Sequence, residues 1–294
     1  MMSKLVLGTV QLGLDYGINN KLGKPSRDLS FKIFDSAYEG GIKIFDTAYA
    51  YGDAEKILSE WMKKNNTADK VSVISKLKPH TAEVEKEIQK SLSRLKRDYL
   101  DGYLLHTPEY IYNDAVWSAL KEVKEKGLVK NIGVSIYEEK DALYAAQERK
   151  VDYIQIPYSV FDQRLNKTDF FEEARKNNVK IFARSAFLQG LIFMQDADIP
   201  ENLLETKNYL WKLDSIISKH GFSRAEAALL FSYQDPRIDY VVFGVDNPEQ
   251  LNENLRIVKS PKNFDACMAE LRDKFTDIKK SIIMPSLWKN PPPK

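Results

Sequence analysis

Residues 42–76, IKIFDTAYAYGDAEKILSEWMKKNNTADKVSVISK, contain one strand-helix-strand passage, and its reading decides the fold. IKIFD (42–46) and VSVIS (71–75) are short β-branched runs, and between them Ile57, Leu58, Trp61 and Met62 recur on one helical face. This is the unit of a parallel sheet covered by helices. The same order continues in both directions, with strands expected near 5–10 (LVLGTV), 101–105 (DGYLL), 130–134 (KNIGV), 152–156 (DYIQI), 179–183 (VKIFA) and 239–243 (DYVVF). One-sided apolar stripes follow at Val84, Ile88, Leu92, Leu95, at Val116, Leu120, Val123, and at Leu251, Leu255, Val258. Gly40-Gly41 and Gly127 stand where helix ends favour a left-handed glycine. Eight such units predict a TIM (β/α)8 barrel, an α/β fold that typically takes about 250 residues. A doubly wound Rossmann fold lacks its G-x-G-x-x-G turn after any of these strands. The chain 1–294 therefore reads as a single domain, with an insertion around 194–220 and residues 259–294 as a C-terminal helix and pocket-covering tail.

Composition narrows the function. With 43% hydrophobic and 29% charged residues, the chain can bury a core beneath a charged surface, which disfavours disorder. Lys+Arg number 44 against 42 Asp+Glu, a net +2, too balanced for a phosphate-backbone footprint, so no nucleic-acid partner is expected. The single cysteine, Cys267, allows no intrachain disulfide, and His80, His106 and His220 have no zinc-ligand spacing, so no metal is expected. The opening MMSKLVLGTVQLG reaches glycine after three apolar residues, and no run approaches the ~20 residues of a membrane span. A cytoplasmic protein without a membrane partner is the expectation, with a monomer as the default.

In such a barrel, chemistry sits at the C-terminal ends of the strands. Asp46 closes the second strand and Tyr51 follows five residues later; Lys76 ends the third and His106 the fourth. Singly, each has a plain reading as a turn cap, a packed ring or an ordinary polar residue. Jointly, consecutive strands deliver ionisable groups to one rim. A phenol of pKa about 10 is a poor acid at neutral pH, and a neighbouring ammonium such as Lys76 lowers that value. Tyr51 then serves as general acid, Asp46 holds Lys76, and His106 offers a hydrogen bond to a carbonyl oxygen. No side chain supplies a hydride, so a bound cofactor is implied. Asn247-Pro248-Glu249-Gln250 reads as a capped helix start, equally a structural cap or an anion site for a cofactor phosphate.

The segments GTVQLG (8–13), FDTAYAYG (45–52), VISKLKP (73–79), LLHTPE (104–109), GVS (133–135), IQIPYS (154–159), ARSAFLQGL (183–191) and VVFGVDNPEQLNENL (241–255) together resemble the aldo-keto reductase superfamily. GTVQLGLDYG and ARSAFLQGL look more like bacterial sugar-modifying or polysaccharide-locus members than like the animal aldose reductases. The resemblance implies a catalytic tetrad of Asp46, Tyr51, Lys76 and His106, with Tyr51 the proton donor. It implies adenosine contacts at Gly244, Gln250, Glu253 and Asn254, nicotinamide-carboxamide contacts at Ser135 and Gln155, and further cofactor contacts at Gly8, Thr9, Arg184, Ser185 and Val245. NADP(H) is the implied cofactor, with NAD(H) as the alternative. The substrate is a small carbonyl compound, an aldehyde or ketone of the sugar type, and the expected pocket walls are Val10, Tyr16, Tyr49, Thr107 and Trp288.

The chain departs from the family pattern at three positions. Ile136 follows the GVS serine where many relatives have Asn, Arg184 stands where many have an aromatic ring on the nicotinamide, and Asp246 occupies a loop that elsewhere holds basic residues. A guanidinium can stack on a ring, so Arg184 is expected on the nicotinamide face, the alternatives being solvent or a carboxylate partner. Two other functions stay open: a Schiff-base barrel enzyme of aldolase type using Lys76, and a non-catalytic, cofactor-sensing binding subunit.

Overall fold

The computed structural model describes residues 4–78 and 83–288. Eight strands close into a barrel in sequence order: β1 (Leu5–Gly8), β2 (Ile44–Asp46), β3 (Ser72–Lys76), β4 (Gly102–Leu105), β5 (Ile132–Ser135), β6 (Tyr153–Pro157), β7 (Lys180–Arg184) and β8 (Tyr240–Phe243). Every neighbouring pair is parallel, and β1 closes on β8 with Leu5 opposite Val241. The expected strands are all present, with ends displaced by one or two residues. The first ends at Gly8 because the chain turns there into a short helix, Val10–Gly13, in which Leu12 N–H donates to Thr9 O.

The barrel interior is a buried cluster of its own, Val6, Ile74, Leu104, Phe182 and Val242, joined by the partly buried Ile44, Tyr153 and Tyr240. Strand side chains alternate between faces, so a step of two carries the same inward face to the rim. That step leads to Gly8, Asp46, Lys76, His106, Gln155, Arg184 and Gly244. The strand period thus aims the candidate site residues at one place.

Outside the barrel, helices bury the stripes read from the sequence. Helix Ala54–Asn65 buries Ile57, Leu58, Trp61 and Met62, and Val84–Leu95 buries Val84, Ile88, Leu92 and Leu95. Trp61 meets the Phe34 and Phe45 rings at 5.2 and 5.4 Å, and its indole N–H donates to Asp35 at 2.7 Å. In Pro248–Lys259, Leu251 and Leu255 are buried, whereas Val258 is only partly so. The glycine stops are at Gly41 (φ 95°) and Gly127 (φ 74°). Gly40 is right-handed instead (φ −68°), and its missing side chain accommodates Leu255, whose Cδ1 would stand 2.4 Å from a Cβ there.

The insertion expected at 194–220 contains helix Thr206–Lys219. The C-terminal segment forms Asp265–Lys274 and short turns through Leu287. Among the described residues, no helix is long and apolar enough to cross a membrane.

Candidate active site

A cavity of about 470 Å³ opens at the C-terminal rim of the barrel. Its walls include Gly8, Thr9, Val10, Tyr16, Asp46, Tyr51, His106, Ser135, Gln155, Arg184, Ser185, Gly244, Val245, Gln250, Glu253 and Asn254. Lys76 lies beneath the wall with 1% of its side chain exposed.

Three expected pocket residues lie elsewhere. Tyr49 is covered by the Arg94 guanidinium, 3.9 Å from its ring. Thr107 leads into the turn Pro108–Tyr112 and is not among the residues that line the cavity. Trp288 donates its indole N–H to Ile282 O at 3.0 Å and packs on the outer core. No described residue beyond Asn254 lines the cavity. In residues 259–288, Lys279 bonds Glu205 at 2.8 Å and Lys280 bonds Glu138, while 289–294 lie outside the described residues.

At the floor, Lys76 Nζ donates to Asp46 Oδ2 at 2.6 Å, to Oδ1 at 2.8 Å and to Thr47 O at 3.1 Å. The Gln155 side-chain amide donates to Asp46 Oδ1 as well. A buried ion pair survives only when both partners are well bonded, and here the ammonium uses all three donors. Gln155, expected to hold a carboxamide, commits one side-chain N–H to Asp46.

Tyr51 and His106 meet edge to face, ring centroids 5.7 Å apart and planes at 88°. The Lys76 ammonium is 5.0 Å from the centre of the Tyr51 ring. Burial, and after it the Asp46 carboxylate, push the Tyr51 phenol well above its ordinary range, while Arg184 opposes them. This differs from the expected lowering by Lys76, because the Lys76 donors point at Asp46 and Thr47. Burial also lowers Lys76, against the pull of Asp46. Burial, helped by the Lys76 and Arg184 charges, drives His106 down to about 3, so its imidazole is neutral at ordinary pH. Its Nδ1 is buried without a partner among the described residues.

The Tyr51 turn is held from two sides. Tyr51 N–H donates to Ala48 O and Tyr51 O accepts from Ala54 N–H, each at 3.0 Å. Gly13 packs on this turn so closely that a Cβ there would stand 1.8 Å from Tyr51 O. On the other side Glu55, 1% exposed, accepts from Ser75 Oγ at 2.7 Å, which ties the helix after Tyr51 to the residue before Lys76. Arg94 joins the tie at 3.6 Å from Glu55 and 3.4 Å from Tyr49 O.

Arg184 donates to Ile136 O at 2.8 Å and Ser185 Oγ at 3.2 Å, and stacks over the Tyr137 ring at 4.5 Å. Arg184 is half-buried and forms no ion pair among the described residues. The following loop carries left-handed backbone at Ser185, Leu188 and Gln189 (φ 67°, 45° and 55°), strain of the kind retained at functional sites. It brings Phe187, Gln189 and Phe193 to the cavity, where Gln11, Asn19 and Tyr137 also stand. Sequence reasoning missed these residues because they lie between the strands, in loops and helical turns too short for a period to orient them; for Gln11, Tyr137 and Phe187 the available signal was closeness to a strand end.

At the opposite end, Asn247 caps helix Pro248–Lys259 by accepting from Gln250 N–H at 2.9 Å. Gln250 Oε1 accepts from Asp246 N–H at 2.8 Å, so the side chain closes this loop.

Comparison with known proteins agrees with this geometry. The Aldo/keto reductase family model matches residues 4–273. The chain is 25% identical over 279 residues to the uncharacterized oxidoreductase YqkF of Bacillus subtilis (strain 168), covering 87% of this chain and 90% of that one. It is 23% identical over 297 residues to the NADH-specific methylglyoxal reductase of Escherichia coli (strain K12), covering 86% and 89%. An aldo-keto reductase from Bacillus halodurans superposes with a TM-score of 0.72 at 20% identity over 94% of this chain and 96% of that one. With a family match of this extent on an eight-stranded parallel barrel, the chain belongs to the Aldo/keto reductase family and is an NAD(P)H-dependent oxidoreductase.

Proposed function

We propose that the chain reduces an aldehyde or ketone of the sugar type, using NADP(H) and also accepting NAD(H), with Tyr51 as general acid. The observation that carries this reading is the placement of Tyr51 and His106 in one cavity above the Lys76–Asp46 pair. A phenol held above its ordinary pKa keeps its proton until a carbonyl oxygen gains charge beside it. Tyr51 donates that proton, and neutral His106 donates a hydrogen bond from a ring nitrogen to the same oxygen. Lys76 compensates Asp46, whose charge would otherwise raise the phenol further.

The residues suit a dinucleotide. Thr9 Oγ1, Gln11 Oε1 and His106 Nδ1 are cavity-wall atoms buried without partners among the described residues, and such atoms call for a bound polar group. Gly8, Thr9, Ser135, Gln155 and Ser185 would hold its nicotinamide half, with Gly244, Val245, Gln250, Glu253 and Asn254 at the adenosine half beside the helix N-terminus. When bound, the cofactor supplies the electron pair that side chains cannot. Asp246 and Glu253 line that end, and no Lys or Arg from the β8 loop does. This favours a smaller preference for NADPH over NADH than a basic loop would give. Gln11, Asn19, Gln189, Tyr16 and Tyr137 offer hydrogen bonds to a hydroxylated substrate.

The test is oxidation of NADPH and NADH with a panel of aldehydes, ketones and sugars. Turnover that depends on Tyr51 supports the reading. Borohydride trapping of a substrate on Lys76 would instead favour Schiff-base chemistry, and cofactor binding with no turnover on any carbonyl would favour a sensing subunit.

A further inference from the structure

Arg184 is the one cation among the described residues that line the catalytic cavity, and it forms no ion pair there. Its bonds to Ile136 O and Ser185 Oγ spend two of five N–H groups. The carboxylates around it have other partners: Asp46 is held by Lys76 and Gln155, and Asp162 by Arg164 at 2.8 and 2.9 Å. A guanidinium cannot shed its charge, so a partly buried one without a counter-ion carries a desolvation cost that a bound anion offsets. Tyr137 covers one face and fixes the fork in place, while the left-handed backbone of Ser185, Leu188 and Gln189 holds the loop behind it.

We propose that Arg184 binds a carboxylate or phosphate group inside the catalytic cavity. The inference rests on reading the cavity as the carbonyl-reducing site. Two sources share this chemistry: an acidic group on the substrate near its carbonyl, as in a 2-oxo acid or an anionic sugar derivative, and the diphosphate of the dinucleotide. The substrate is favoured, because the Arg184 charge reaches Tyr51, His106 and Tyr16, where a reacting carbonyl would sit.

Phenylglyoxylate and its methyl ester differ in charge and little else, so their kcat/KM ratio reads the anion site. Arg184→Gln should lower the acid-to-ester ratio about ten- to hundredfold, the scale of one lost charge-assisted hydrogen bond. Arg184→Lys, which keeps the charge and loses the fork, should restore part of it. Titration of each variant with NADPH and NADH separates the sources: unchanged cofactor affinity with a fallen ratio assigns the substrate, and weakened binding of both cofactors with an unchanged ratio assigns the diphosphate. If neither quantity moves in an Arg184→Gln protein with wild-type melting, the anion site is overturned. Thermal shift with phenylglyoxylate against the ester reads Arg184 without turnover, whereas Tyr51→Phe reads the reaction, so the two proposals fail separately.

Discussion

Lys76 and Asp46 form a closed pair, 2.6 Å apart with 1% and 5% of their side chains exposed. Removing either partner leaves the other charged and buried, at a cost of about 3–5 kcal/mol. Lys76→Met should do more than destabilise, because it exposes Tyr51 to an uncompensated Asp46 carboxylate and raises the phenol further. The double variant Lys76→Met, Asp46→Asn removes both charges and should recover part of the lost stability. Denaturant melts of the two single variants and the double variant check this; strictly additive losses would show that the pair is not coupled.

Tyr51→Phe deletes one hydroxyl and little volume. Cofactor affinity should persist while carbonyl reduction falls by about two orders of magnitude or more, the scale of a lost general acid. Near wild-type turnover in this variant would sink the assignment of Tyr51.

His106 links stability to pH. Its folded-state pKa, about 3 against an ordinary 6.5, means that between those values the unfolded chain binds a proton that the native chain refuses. Stability therefore falls as pH drops from 6.5 toward 3 and is free of this penalty above 6.5. His106→Gln, neutral throughout, should shift the acid-unfolding midpoint to lower pH. An unmoved midpoint would mean that His106 is protonated in the native state at no cost.

The Glu55–Ser75 bond joins the element after Tyr51 to the strand that carries Lys76. Ser75→Ala removes that bond and should cost about 1–3 kcal/mol, because Glu55 is left buried with a bare oxygen. If the bond also sets the spacing of Tyr51 and Lys76, kcat should drop with KM unchanged. A loss confined to melting temperature would limit the bond to a structural role.

The strand-end residues were legible because barrel strands have a period of two. Ile44 points inward and so must Asp46; Ile74 gives Lys76, Leu104 gives His106, and Phe182 gives Arg184. The same rule could not place Tyr49 and Tyr51, which lie in a turn where alternation stops. One enters the cavity while the other lies under Arg94. Gln189 and Phe193 were hidden for a related reason, since left-handed residues in the loop after Arg184 reverse the chain in a way that composition does not signal. The fate of Trp288 depended on a partner, Ile282 O, six residues back in a helix of four residues, too short to show a period in the sequence.

Asp246 is expected to weaken the preference for NADPH. It lines the cavity one residue before the Asn247 cap, beside the proposed adenosine contacts. The helix N-terminus attracts a 2′-phosphate by about 0.3–1 kcal/mol when exposed, and a carboxylate beside it opposes that attraction. Asp246→Ser removes the opposing charge and leaves the cap, because Asn247 still accepts from Gln250. NADPH affinity should rise about two- to fivefold, the range of that helix effect, while NADH, which lacks the 2′-phosphate, should change little. The gain should shrink as salt is raised, since Asp246 is only partly buried. Titration of wild type and variant with each dinucleotide at two ionic strengths reads the difference directly. Equal NADPH dissociation constants for the two proteins at low salt would show that Asp246 does not act on the phosphate, and cofactor preference would then have to arise deeper in the cavity than the β8 loop.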